Sequence, residues 1–260
     1  MRRNTATALH GWPPRGICFV PRLGEYLARL EQESLGSLLG RPAALGRAFR
    51  RATELLSLTV ECLDVPAAWI LHSAGWPATL GERGMELGPA PATLRAPPET
   101  AGNGPLAAVR EALRALPLLT AAPSTLVALP SPATLAQAAG AGVPISDQWS
   151  RAVLQAFVRC LGEMDVLAGV MLDGDDGVAE LSRMLDHYQI TPVCIRGLAD
   201  PRPPPPRALV ARALPIDGLT GPALATAGIA SDTLITTDSP VAVLVAPEDL
   251  LRASRAVAAQ

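Results

Sequence analysis

Val166-Leu167-Ala168-Gly169-Val170-Met171-Leu172 is an unbroken apolar run that stops on Asp173-Gly174-Asp175-Asp176-Gly177. A helical pattern fills 178–188, and a second apolar run, Pro192-Val193-Cys194-Ile195, follows it. A buried strand, an acidic turn, a helix and another buried strand make a β-α-β unit, the pattern that implies a parallel crossover. Outward from this unit the same alternation repeats. Short apolar runs at 17–20, 67–71, 125–129, 208–216 and 233–236 read as strands. Segments 23–39, 42–63, 105–115, from 133, 147–164 and 247–257 read as helices. Residues 75–104 are rich in Gly and Pro and read as a long excursion, while the proline run at 201–206 is an extended connector. This order implies right-handed crossovers and a parallel α/β fold.

Composition narrows the chemistry. All 22 basic residues are arginine, so Schiff-base formation, pyridoxal phosphate anchoring and a Walker-type phosphate loop lack their lysine. A formal net charge of −2 gives no electrostatic case for nucleic acid or an anionic membrane. No G-x-G-x-x-G follows any strand, which speaks against a dinucleotide-binding sheet. Cys18, Cys62, Cys160 and Cys194 are scattered without a C-x-x-C pair and read as reduced thiols. The segment Met1-Arg2-Arg3-Asn4 lacks the apolar stretch of a signal peptide, and no long apolar run suggests a membrane span. The expectation is a cytoplasmic protein.

Several segments, in order, resemble the superfamily that holds uroporphyrinogen decarboxylase, corrinoid-linked methyltransferases and cobalamin-independent methionine synthase. Thr7-Ala8-Leu9-His10-Gly11-Trp12-Pro13-Pro14-Arg15 is similar to the family's lead into strand one, and Gly24-Glu25-Tyr26-Leu27 resembles the decarboxylase's Gly-Arg-Tyr-Leu. Leu129-Pro130-Ser131-Pro132-Ala133-Thr134-Leu135-Ala136 resembles the turn after strand three. Asp186-His187-Tyr188 with Pro192-Val193, and Asp238-Ser239-Pro240 through Val245-Ala246-Pro247-Glu248-Asp249-Leu250, resemble the approaches to strand five and the segment of strand seven. The resemblance implies a single domain over 1–260. It would be a (β/α)8-type TIM barrel with about seven recognisable strands and an N-terminal helical extension. In zinc-dependent members a His and a Cys end strand five. The matching positions here are Cys194 and Arg196, and no later Cys or His supplies a third ligand, so neither metal nor cofactor is expected. The decarboxylase's catalytic aspartate after strand two would fall near Leu71-His72-Ser73, where none stands.

In such barrels the groups at the C-terminal strand ends face the active-site mouth. His72, at the end of the expected second strand, is a candidate general base, and Asp173 is a candidate acid or base. Arg22 and Arg196 can clamp an anion, and Tyr26 lies in the family-like motif. Cys194 and Arg196 alternate with Ile195 and are expected to point into the barrel, with Asp217 and Asp238 as counter-charges. These residues suit a small acidic or zwitterionic substrate. The expected function is a cofactor-independent lyase or decarboxylase, the alternatives being a zinc-less methyltransferase relative and a non-catalytic binding protein. Unpaired sheet edges and apolar surface lead to the expectation of a homodimer.

Overall fold

The computed structural model describes residues 18–34, 37–38, 41–58, 60–73, 75–81, 84–91, 111, 125–140, 145, 147–163, 167–173, 175–197, 200, 202–203, 208–214, 234–237 and 247–258. The elements run β1 (Cys18–Phe19), α1 (Gly24–Leu30), α2 (Pro42–Leu56), β2 (Glu61–Asp64), α3 (Ala67–Ser73), β3 (Ala78–Gly81) and β4 (Gly84–Leu87). They continue with β5 (Thr125–Leu129), α4 (Pro132–Ala139), α5 (Asp147–Gly162), β6 (Leu167–Asp173), α6 (Asp175–Tyr188), β7 (Thr191–Gly197), β8 (Leu209–Leu214), β9 (Leu234–Thr237) and α7 (Pro247–Ala258).

Seven of these strands form one sheet in the order β1-β9-β8-β7-β6-β5-β2, and every pairing in it is parallel. The β-α-β unit of β6, α6 and β7 sits at its centre, with Met171 opposite Val193 and Leu172 opposite Cys194. Strand alternation divides the core in two. Cys18, Val20, Cys62, Leu126, Met171, Val193 and Ala211 share an inner cluster. Phe19, Leu63, Val127, Leu172, Cys194 and Ile235 join the helices in an outer one. The two end strands, β1 and β2, therefore meet on the inner side although no ladder joins them among the described residues. The sheet curls on itself into an incomplete α/β barrel.

Gly169 shows how tightly that interior is filled. A Cβ there would lie 2.7 Å from the Thr191 carbonyl oxygen and 2.9 Å from Leu126 Cδ2. Helix starts and stops follow local chemistry. Pro42 opens α2, which ends where Ser57 turns left-handed with φ 53° and its N–H reaches the Thr53 carbonyl. Ser131 caps α4 by accepting from Thr134 N at 3.1 Å, and Pro132 supplies the first helical position.

Two expectations need correction at the second strand. The helix expected over 42–63 stops at Leu56, and residues 61–64 form the strand. The apolar run at 67–71 is helical, with Pro66 before it supplying the carbonyl that starts the turn at Trp69 and Ile70. Within 75–104, β3 and β4 pair antiparallel, 78–81 against 84–87. The helix expected over 105–115 falls outside the described residues, apart from Glu111.

Candidate active site at the barrel mouth

Alternation along β2 places Asp64 on the same side as Cys62, and along β6 it places Asp173 on the same side as Met171. Each aspartate is the last residue of its strand. With β5 between β2 and β6, the two strands lie about 10 Å apart. Arg22 continues the inward direction of Val20 beyond β1 and crosses from the other edge of the sheet. Its Nε donates to Asp64 Oδ1 at 2.7 Å, and its Nη1 reaches Asp173 Oδ1 at 3.4 Å. One guanidinium thus bridges two carboxyls at the C-terminal ends of the strands, the end that carries chemistry in barrels of this kind.

The three groups differ in exposure. The side chains of Arg22 and Asp64 are 8% and 1% exposed, whereas that of Asp173 is 28% exposed and opens toward solvent. Asp64 Oδ2 is buried and has no hydrogen-bond partner. Burial pushes the Asp64 carboxyl above its ordinary range, against the nearby Arg22 charge and hydrogen bond, while Asp173 adds to the rise. Burial raises Asp173 in the same way, again opposed by Arg22. For Arg22 burial opposes the charge, but the two aspartates outweigh it and keep the guanidinium protonated. Gly24 sits against this site, since a Cβ there would come within 3.0 Å of the Asp64 carbonyl oxygen.

Of the residues expected from sequence, Arg22 and Asp173 come together here, joined by Asp64, which the sequence reading missed. Its signal was present in Glu61-Cys62-Leu63-Asp64 before Val65-Pro66, an aspartate closing a short run just ahead of a proline. With β2 at its observed position, an aspartate does stand at the end of strand two. His72 is not at a strand end. It lies in the last turn of α3, where Nδ1 is 3.0 Å from the Trp76 carbonyl oxygen, so that nitrogen carries the proton and donates.

Tyr26 packs fully buried in the outer cluster. Burial raises its hydroxyl, with Arg29 opposing and Glu248 adding, and the hydroxyl has no hydrogen-bond partner. Cys194 and Arg196 point away from the barrel interior, because Val193 and Ile195 are the inward residues of β7. Arg196 Nη1 donates to the Arg202 carbonyl at 2.5 Å, and Nη2 donates to the Pro203 carbonyl at 3.0 Å. It ties down the connector after β7. Asp217 and Asp238 lie outside the described residues.

Zinc, as the metal-dependent members of the resembled superfamily hold it, does not fit the described residues of this chain. Cys194 faces the helix layer, Arg196 is spent on backbone carbonyls, and no group of three or more His, Cys, Asp or Glu among the described residues could hold a metal. No helix among the described residues is long and apolar enough to cross a membrane.

Fold and mouth together define the class: an incomplete α/β barrel with an acidic, arginine-bridged opening. Among solved structures, a methyltransferase from Methanosarcina mazei matches it with a TM-score of 0.69, over 97% of this chain and 96% of that one, at 13% identity. A likeness at that identity is one of fold. No family model matches the chain, and no curated protein matches it.

Proposed function

We propose that the chain is an enzyme on a methyltransferase-like barrel that transfers a methyl group, without zinc, to the amine or hydroxyl of a small zwitterionic metabolite. The observation that carries this is Asp64 Oδ2, a buried carboxyl oxygen with no partner beside Arg22 and Asp173. A polar atom left unsatisfied at the mouth of a barrel is a place for a ligand group. Two carboxyls against one guanidinium leave the mouth acidic, which suits the amine end of a zwitterion.

Methyl transfer to nitrogen or oxygen requires the acceptor to lose a proton. The acceptor's lone pair forms the new bond to carbon, the donor keeps the electron pair of the broken bond, and the proton passes to a carboxyl. Asp64 orients the acceptor through Oδ2, and Asp173, open to solvent, takes the proton and releases it. A corrinoid or a folate would be the donor by the family resemblance, and the likeness to a methyltransferase supports this reading over the lyase reading. The lyase reading has a specific obstacle. Arg22, which would hold the substrate carboxylate, already donates to both aspartates.

The test is to incubate the protein with methylcobalamin or methyltetrahydrofolate and small amino acids or amino alcohols, following the products by mass. A product heavier by one methyl group is expected, with the rate reduced at least about a hundredfold in Asp173→Asn. Release of carbon dioxide from the acceptor without methylation would replace this reading with the decarboxylase one.

A further inference from the structure

We infer that the outer face of the barrel carries a second site, a groove between α5 and α6 that binds a phosphorylated small molecule. The groove has a volume of about 670 Å³ and is lined by Gln155, Arg159, Arg183, Met184, His187 and Tyr188 among others. That volume is in the range of a small-molecule site rather than a protein footprint. Three side chains that carry or can carry positive charge line it, and no carboxylate does. Among the described residues Arg159, Arg183 and His187 have no acidic partner. The nearby acids Glu163 and Asp186 do not line the groove.

The floor is built. A Cβ on Gly162 would fall 2.2 Å from the Tyr188 ring, so the absence of a side chain there is what lets the ring lie against α5. His187 meets the edge of that ring, with centroids 4.9 Å apart and planes at 79°. Tyr188 and Met184 offer an apolar surface to the body of a ligand, and Gln155 a neutral amide. Arg159 and Arg183 project from facing helices and present planar donor forks, a geometry that favours phosphate oxygens over a single point charge.

The groove is separate from the mouth. α6 starts directly after β6, whose last residue is Asp173, and His187 lies twelve residues beyond Asp175, about 18 Å along the helix. A ligand here therefore binds independently of the reaction proposed above.

Isothermal titration of the full chain at low ionic strength, with inorganic pyrophosphate as probe and citrate at matched ionic strength as the carboxylate control, tests the site. Saturable pyrophosphate binding is expected, tighter than citrate. It should weaken by at least about tenfold in the Arg159→Ala, Arg183→Ala double variant. Arg183→Gln, which keeps most of the side chain and drops the charge, should give a loss in the same direction, and Asp64→Asn should bind as the wild type does. Both arginines are exposed, so the variants should keep the wild-type circular dichroism. Absence of saturable binding, equal binding in the double variant, or tighter binding of citrate would each overturn the assignment.

Discussion

Arg22 faces two carboxyls, and its removal and theirs have different consequences. Arg22→Ala leaves Asp64 as a buried carboxyl with neither Oδ1 nor Oδ2 partnered, and should destabilise the fold by about 3–5 kcal/mol in urea denaturation. Asp64→Asn keeps the shape and an oxygen for Arg22, so it should cost much less at neutral pH. The pH dependence separates them further. Burial holds the folded-state Asp64 carboxyl above the ordinary value of 3.8, so the folded chain binds that proton more tightly than the unfolded chain. Between 3.8 and the raised folded value, stability falls as pH rises. The wild type should lose ground to Asp64→Asn as pH climbs through this window, and the difference should level off above it. Thermal unfolding of both proteins across a pH series checks this, and a difference that grows in the wild type's favour with pH would contradict the burial argument.

At the scale of elements, the strands and helices from β5 onward were legible because each is a plain apolar run or a one-faced helix between turn residues. β2 was not. Glu61-Cys62-Leu63-Asp64 carries an acid at each end, which in isolation does not read as a strand buried at all four positions. Tertiary partners reverse that. Thr53 Oγ1 on α2 donates to Glu61 Oε1 at 2.5 Å, and Arg22 meets Asp64. Misplacing β2 sent His72 to a strand end it does not occupy and hid Asp64. The direction of β7 was lost for a related reason. Alternation gives two faces but not which one is inward, and Arg196 finds its partners outside, among carbonyls that no sequence pattern announces. Arg196→Ala should therefore cost about 2–3 kcal/mol of stability through the lost charge-assisted bonds. It should also make the connector after β7 more sensitive to protease, with the activity proposed for the mouth unaffected. Gly169→Ala, which pushes a Cβ against the Thr191 carbonyl and Leu126, should cost about 1–3 kcal/mol in the same denaturation assay. Gly197→Ala, with open space around its position, should cost less.

For the molecule as a whole, the question is what holds the curled sheet shut. The ladders run from β1 through β9, β8, β7, β6 and β5 to β2, with one register shift between β5 and β6 at Thr125/Leu126. At the seam between β1 and β2, side chains hold where no ladder does: the Arg22–Asp64 pair, the close fit of Gly24 on Asp64, and the packing of Cys18 and Val20 with Cys62 in the inner cluster. The two edges thus face each other. A homodimer, which we propose on the ground of unpaired edges, would have to meet the outer side of this seam, and light scattering at micromolar concentration decides it: a monomer mass overturns the proposal. The seam itself makes a sharper prediction. Val20 N–H bonds the Ile235 carbonyl at 2.8 Å and Val65 N–H bonds the Ala128 carbonyl at 2.9 Å, each flanking the seam. Val170 and Leu172, by contrast, lie in β6 with a parallel neighbour on either side. Local opening should follow the contacts that close it, so Arg22→Ala should speed hydrogen exchange at Val20 and Val65 by about tenfold or more relative to the central amides. If all these amides accelerated together, the seam would not open on its own, and the sheet would be a single cooperative unit held by its ladders.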